Sequence, residues 1–173
     1  MTTGRNQTIA VGYTVDMPYR EVPGNLLELD FPSIGHGCNC AGSMAGGIAV
    51  EFARRWPEMH DEYVRRCATG ELRPGEFFRW DADGLVIYNL ATQQRPGPDA
   101  RLDAIDTSVR GALADAQRAG IATLGVPKLG AGIGGLSWCD VYGVLRDAGE
   151  ASSVTLTVVK LPRLAESAAP WTR

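Results

Sequence analysis

Two glycine-rich segments have the composition and spacing most suited to chemistry in this sequence. Five glycines lie in residues 35–47 and five more in residues 125–135, out of 21 in the chain. Each segment follows a predicted strand and precedes a predicted helix, and ligands of open α/β sheets bind at the carboxyl ends of strands. Backbone N–H groups in such loops approach phosphates closely. The two segments together predict a site for the two phosphates of one pyrophosphate ligand.

The same glycines also fit a simpler interpretation, in which they serve only tight turns and helix caps. Two dense clusters at equivalent strand-to-helix positions favour the ligand site over this alternative. No G-x-x-x-x-G-K-[ST] segment occurs, which argues against a Walker-type ATPase. The GAGIGG segment at 130–135 lies at the wrong end of the chain for the dinucleotide-binding fingerprint.

His36 and Asn39 are the candidates for catalysis beside the first glycine-rich segment. A histidine at the end of a strand can move a proton near neutral pH, and an asparagine amide can hold a water molecule or a hydroxyl group. The alternatives are a packed histidine bonded to the backbone and an asparagine that caps the turn.

The spacing of His36, Cys38 and Cys40 suggests a metal site, but H-x-C-x-C is not a standard zinc pattern and no fourth ligand is evident. Strand alternation places all three on one face, and we interpret the cysteines as small buried side chains. We therefore predict neither a metal nor a cofactor. The four cysteines show no disulfide framework, which indicates a reduced, cytoplasmic protein.

Several charged residues have ordinary structural explanations. Asp99 is predicted to cap the long helix and Asp103 to lie near its first turn, although one acid near this helix start could instead activate water. The basic pairs at 54–55 and 65–66 are interpreted as solvated helix faces, with contact to a nucleic-acid strand as the alternative.

The elements that position these residues alternate along most of the chain. Strands are predicted at 9–14, 19–22, 34–40, 77–80, 85–90, 123–126 and 154–161, and helices at about 45–55, 59–68, 101–119 and after residue 135. Residues 81–84 form a hairpin signal, so at least one strand pair is antiparallel. This order favours a three-layer α/β/α sandwich with a mixed central sheet.

Length and charge limit the remaining classes of protein. The 173 residues suffice for one domain, predicted over 1–161 with a surface tail at 162–173. The net charge of −3 excludes a strongly basic nucleic-acid footprint. The sequence contains no 18-residue apolar stretch and no apolar signal segment at its start. We expect a monomer without membrane contact.

The chain resembles the macrodomain family of ADP-ribose-binding modules through five segments in the family's order. These segments are GNLL (24–27), HGCNCAGSMAGGIA (36–49), NLATQQR (89–95), VPKLGAGIGGLSW (126–138) and LTVVKL (156–161). Within the family it looks most like the branch that contains the terminal ADP-ribose protein glycohydrolase and the ADP-ribose-1″-phosphate phosphatase.

The resemblance implies an α/β/α fold with a cleft for ADP-ribose, free or attached to protein or nucleic acid. It puts Asn25 and Leu26 near the adenine. The residues implied for the rest of the ligand are Gly46, Gly47, Ile48, Thr92, Gln93, Pro127, Gly130, Ala131, Gly132, Ile133 and Gly134.

Three departures from the family's pattern affect the expected activity. Asn25 stands where many members carry an aspartate, so adenine selection is expected to be weaker. Gln93 and Gly134 match the nucleophilic lysine and the acid of the human-type glycohydrolase, and neither can replace them. We therefore predict water-based hydrolysis at C1″ of an ADP-ribose derivative, with a non-catalytic ADP-ribose reader or a domain for another nucleotide as the alternatives.

Overall fold

The structure, a computed structural model, describes residues 18–162. The predicted strand at 9–14 and nearly all of the predicted tail lie outside this range. The strands are β1 (Tyr19–Pro23), β2 (Ser33–Asn39), β3 (Phe77–Ala82), β4 (Leu85–Gln93), β5 (Thr123–Val126) and β6 (Thr155–Lys160). The helices are α1 (Ala49–Arg55), α2 (Pro57–Thr69), α3 (Leu102–Arg118) and α4 (Trp138–Glu150).

The six strands form one mixed sheet in the order β1-β6-β5-β2-β4-β3. Only the β3–β4 hairpin is antiparallel, and the other four pairs are parallel. The predicted mixed sheet and hairpin are therefore confirmed. Because β1, β6, β5, β2 and β4 run in the same direction, their carboxyl ends meet along one edge of the sheet, where the chain places both glycine-rich segments.

Helices cover both faces of the sheet, which confirms the predicted three-layer sandwich. Helices α3 and α4 pack on one face, where the core includes Ile105, Val109, Leu124, Val126 and Leu145. Helices α1 and α2 pack on the other face, where it includes Ile34, Phe52, Met59, Tyr63 and Ile87. The period-2 alternation of β2 sends Ile34, His36 and Cys38 to the α1 side, because alternate residues of a strand point to the same face.

Local backbone chemistry sets the limits of α1 and α2. Proline is the first residue of α2, where its missing N–H costs nothing, and Gly70 ends the helix in the left-handed conformation with φ +72°. Helix α1 begins at Ala49 rather than near residue 45, because Gly47 has φ +58° and a helix cannot continue through it. No helix in the described part of the chain is long and apolar enough to span a bilayer.

Candidate functional site

A cavity of about 1110 Å³ opens along the carboxyl edge of the five parallel strands. Its walls are the first glycine loop (residues 40–48) after β2 and the second glycine loop (residues 127–137) after β5. The predicted site residues that line it are Asn25, Leu26, Asn39, Gly46, Gly47, Ile48, Thr92, Gln93, Pro127, Gly130, Gly132, Ile133 and Gly134. Two other predicted residues, His36 and Ala131, do not line it.

Unpaired backbone donors are the main polar feature of the two glycine loops. In the first loop, the N–H groups of residues 46–48 make no hydrogen bond to any part of the chain that the structure describes. The N–H groups of residues 131–134 in the second loop are equally free within residues 18–162. Backbone N–H groups are strong donors that need partners, so both loops offer sites for an anion.

Ile133 brings the two loops together across the cavity. Its side chain is 59% exposed, and its Cδ1 atom lies 3.0 Å from where a Cβ atom on Gly46 would stand. The corresponding distance at Gly47 is 3.6 Å. A side chain at residue 46 would therefore press on the exposed end of Ile133, which would have to shift by a few tenths of an ångström, and glycine here allows the two loops to approach each other closely.

The second loop is packed tightly against the segment that follows β4. A Cβ atom on Gly134 would lie 2.7 Å from both Ala100 Cβ and the carbonyl oxygen of Gly130. The Ala100 N–H donates to the Gly134 carbonyl at 3.2 Å, which fixes the same contact from the backbone side. A side chain at residue 134 thus meets protein atoms at once, so no acid fits there without displacement of the loop.

The first strand ends in a turn that Asn25 organises. Asn25 Oδ1 accepts a hydrogen bond from the Leu27 N–H at 3.1 Å, and Asn25 Nδ2 donates to Glu28 Oε1 at 2.8 Å. Leu26 is buried and forms part of the cavity wall beside this turn.

The Asn39 side chain is almost fully used in holding the first glycine loop. Its Oδ1 accepts from the N–H groups of Ala41 at 3.0 Å and Ser43 at 3.3 Å, and its Nδ2 donates to the Ser43 carbonyl at 2.6 Å. The Tyr63 hydroxyl donates to the Asn39 main-chain oxygen at 2.8 Å. Asn39 therefore caps the turn and also lines the cavity, with one amide hydrogen left over.

Gln93 holds the loop after β4 in a similar manner. Its Nε2 donates to the carbonyl oxygens of Arg95 at 2.5 Å and Gly97 at 3.0 Å. Asp99 braces the same loop, since its Oδ2 accepts from the N–H groups of Gln94 and Arg95 at 3.0 and 2.8 Å. Asp99 was expected to cap α3, and this expectation is wrong because the N-cap of α3 is Arg101.

His36 lies beneath the cavity, fully buried between the sheet and α1. Its Nε2 is 2.8 Å from Asn89 Oδ1 on β4, and its ring stacks on Phe52 with 4.1 Å between the ring centres. Burial lowers the pKa of His36 to about 4, partly offset by the bond to Asn89. A buried histidine that stays neutral at physiological pH is a poor proton carrier, so the site places His36 as a support for the strand ends.

The lowered pKa of His36 makes stability depend on pH. The unfolded chain gains a proton here below pH 6.5, whereas the folded chain binds it only near pH 4. The free energy of unfolding is therefore expected to fall by about 2 kcal/mol between about pH 7.5 and about pH 5. Urea denaturation across this range measures the loss.

The variant His36→Gln keeps a partner for Asn89 but cannot titrate, and should flatten this dependence. His60→Gln is the matched control, which retains His36 and should retain the wild-type slope. An unchanged slope in His36→Gln would contradict the account of this buried histidine.

The cysteines near the cavity are buried, as the sequence predicted. Cys38 and Cys40 are free and buried among the apolar residues on the α1 side of the sheet. Burial raises the pKa of the Cys40 thiol to about 12 and that of Cys38 well above its usual range. Residues 18–162 contain no group of three or more potential metal-binding side chains.

Sequence reasoning missed three cations that line the cavity. Lys160 forms an ion pair with Glu21, Lys128 lies over the Trp138 ring at 4.9 Å, and Arg55 donates to the Leu27 carbonyl at 3.1 Å. Arg55 was interpreted as part of a solvated face. Lys128 and Lys160 lie within two of the five family-like segments, but no role in the site was predicted for either of them. Only the folded arrangement of loops and helix ends brings the three cations to the cavity.

Comparisons with known proteins agree with this geometry. The family model of the Macro domain matches residues 36–145. A DNA ADP-ribosyl glycohydrolase of Thermus aquaticus is 30% identical over 136 residues, which cover 76% of this chain and 38% of that protein. The Mycobacterium tuberculosis protein of the same name is 36% identical over 122 residues, covering 68% and 35%. The chain thus spans little more than a third of the length of these relatives.

Solved structures of single domains match over nearly their whole length. The macrodomain of Thermus aquaticus DarG has a TM-score of 0.74 and 29% identity, with 83% of this chain and 98% of that chain covered. The macrodomain of Mycobacterium tuberculosis DarG has a TM-score of 0.73 and 33% identity, with 84% and 98% covered.

Proposed function

This chain belongs to the Macro domain family, and from that premise we propose that it binds ADP-ribose in the cavity and hydrolyses the bond at C1″ of an ADP-ribosyl conjugate. The observation that carries the proposal is the pair of glycine loops, which line one cavity from two sides and carry backbone N–H groups without a partner among the described residues. A pyrophosphate supplies acceptor oxygens for both loops. A bound pyrophosphate therefore accounts for the unpaired N–H groups, which the need for glycine in tight turns does not explain.

The remaining contacts of the ligand follow from this position of the pyrophosphate. Asn25 and Leu26, at the end of β1, lie against the adenine in the proposed complex. The cations Lys128 and Arg55 add favourable charge near the dianionic pyrophosphate. The second ribose then extends toward the ends of β2 and β4, where Thr92 and Gln93 lie.

The proposed reaction uses water rather than a covalent enzyme intermediate. Neither Gln93 nor Gly134 can act as nucleophile or acid, and the cysteine thiols are held protonated by burial. Asn39 holds the water, and His36 supports the adjoining ends of β2 and β4 from below through its bond to Asn89. Catalysis then rests on positioning and on preorganised dipoles around C1″.

An ADP-ribosylated nucleic acid is the substrate to test first. The relatives with 30% and 36% identity are named DNA ADP-ribosyl glycohydrolases. A phosphate is the second leaving group to test, because an ADP-ribose 1″-phosphate phosphatase of Candida albicans is 28% identical over 130 residues, covering 66% of this chain and 80% of that protein.

The test is mass spectrometry of the products from three substrates: an ADP-ribosylated oligonucleotide, ADP-ribose 1″-phosphate and a glutamate-linked mono-ADP-ribosyl protein. The expected result is release of ADP-ribose from at least one of them, with the oligonucleotide turned over fastest. If the folded protein binds ADP-ribose but consumes none of the three substrates, the proposed hydrolysis is contradicted, and ADP-ribose binding alone is the function that is left.

A non-catalytic ADP-ribose reader is the second candidate function. The specific observation that favours it is the pair Gln93 and Gly134, at the positions that match the lysine and the acid of the human-type glycohydrolase. Calorimetry separates the two candidates, because a reader binds ADP-ribose and leaves every conjugate intact.

A further inference from the structure

We infer that Asn39 and Gln93 form a complementary pair of amides that holds the reacting water, with Asn39 as its donor and Gln93 as its acceptor. The inference rests on the proposed hydrolysis at C1″ and adds a role for Gln93 that its place in the cavity wall does not by itself imply. The evidence for this role is the set of donors and acceptors that each amide has left after its hydrogen bonds to its own loop.

The Asn39 amide has one donor to spare and no free acceptor. Two backbone N–H groups occupy its oxygen, and this fixes which end of the amide is oxygen. One of its two amide hydrogens goes to the Ser43 carbonyl. The second amide hydrogen is the only hydrogen-bonding capacity of the Asn39 side chain that has no partner among the described residues, and Asn39 lines the cavity.

The Gln93 amide is in the opposite situation, with a free acceptor and no donor to spare. Its nitrogen faces two carbonyl oxygens, those of Arg95 and Gly97, so both of its hydrogens are used and the orientation of the amide is fixed. Its Oε1 accepts no hydrogen bond from any described residue, and it is not a fully buried unpaired atom. Gln93 therefore presents an open acceptor on a side chain that cannot rotate freely.

The two amides are neighbours at the edge of the sheet. Asn39 and Gln93 are paired in the parallel register of β2 and β4, just after the irregularity between Cys38 and Asn39. Both residues line the same cavity. A water molecule needs both donors and acceptors as partners, and these two neighbouring residues supply one of each for a single water in a defined orientation.

The held water reacts as follows. Its oxygen forms a bond to C1″ while the bond from C1″ to the leaving group breaks, and the leaving group departs with the electron pair. One proton of the water passes to the leaving group, so the products are ADP-ribose and the protonated leaving group. The two amides keep their own protons throughout and orient the water with dipoles that need no rearrangement.

The test compares two variants at residue 93 that both lose the hydrogen bonds to the carbonyl oxygens of Arg95 and Gly97. Gln93→Met removes the oxygen and both donors, whereas Gln93→Glu also loses the two donors to the loop but keeps an acceptor oxygen. Gln94→Met is the matched control, because the neighbouring Gln94 is exposed and does not line the cavity. The substrates are an ADP-ribosylated oligonucleotide and ADP-ribose 1″-phosphate.

The expected result is a loss of kcat in Gln93→Met of about tenfold to a hundredfold, with KM within about threefold of wild type. Gln93→Glu should keep most of the wild-type kcat near neutral pH and lose it toward about pH 4, as its carboxylate takes up a proton. Gln94→Met should resemble the wild type in both constants.

Two outcomes overturn the amide pair while leaving the proposed hydrolysis intact. In the first, Gln93→Met turns over substrate as fast as wild type. In the second, Gln93→Met and Gln93→Glu lose kcat equally, which assigns Gln93 to loop structure alone. Absence of turnover by the wild type is a different failure, which overturns the proposed hydrolysis and the amide pair together.

Discussion

Replacement of Gly132 by glutamate is expected to weaken ADP-ribose binding by about a hundredfold or more without lowering the melting temperature. Gly132 lines the cavity, and a Cβ atom at this position would meet no heavy atom within 4 Å. Its φ lies outside the left-handed region that disfavours side chains. The new side chain therefore fits the fold but brings a carboxylate next to the free N–H groups that serve the pyrophosphate.

Isothermal titration calorimetry with ADP-ribose measures this loss directly. Gly132→Gln has nearly the same bulk without the charge, and an intermediate loss is expected for it. Gly143→Glu is the matched control, because Gly143 is equally open to a side chain but lies on α4, outside the cavity. Wild-type affinity in Gly132→Glu would mean that the second glycine loop does not hold the ligand.

Replacement of Gly134 by alanine is expected to cost about 1–3 kcal/mol of stability and to abolish measurable ADP-ribose binding, because the added methyl group has no room. The new Cβ atom would lie 2.7 Å from Ala100 Cβ and from the Gly130 carbonyl oxygen, and 2.9 Å from Gly130 Cα. Two of these three atoms are backbone, so the loop itself must move and its N–H groups leave their positions.

Urea denaturation and calorimetry measure the two effects of Gly134→Ala. The control is Gly143→Ala, which adds the same methyl group to an open position in α4 and is expected to stabilise the helix by about 0.5–1 kcal/mol. A stable Gly134→Ala variant with wild-type affinity would contradict the tight packing of the loop on Ala100.

The sequence predicts most of the fold because local signals agree with the tertiary arrangement. The antiparallel hairpin around Asp83 and Gly84, the strand at 123–126 and the end of α2 at Gly70 all follow from turn chemistry and apolar periodicity. The two glycine segments also lie where they were expected, on either side of one cavity. Turn residues, glycines and the apolar pattern determine backbone conformation directly, so the elements that they mark can be predicted from the sequence.

The parts that sequence did not predict depend on tertiary contacts. His36 follows the alternation of β2 and points beneath the cavity, and its burial against Phe52 comes from the placement of α1. Asp99 binds the loop before α3 instead of the helix itself. Lys128 and Lys160 reach the cavity only because β5 and β6 end beside each other.

Gly134 shows how the structure changes the meaning of a sequence difference. The sequence indicates that an acid present in a relative is missing at this position. The structure adds that the position is closed to any side chain by Ala100 and Gly130. A single change to aspartate is therefore not a route to acid catalysis in this loop.

The most direct test of the account is a crystal structure of the protein with ADP-ribose bound. The expected complex has pyrophosphate oxygens within hydrogen-bond distance of the N–H groups of residues 46–48 and 131–134. It also has C1″ of the second ribose beside Asn39 and Gln93, with a water between the two amides. A ligand bound outside this cavity, or one with its adenine at the ends of β2 and β4, would contradict the account.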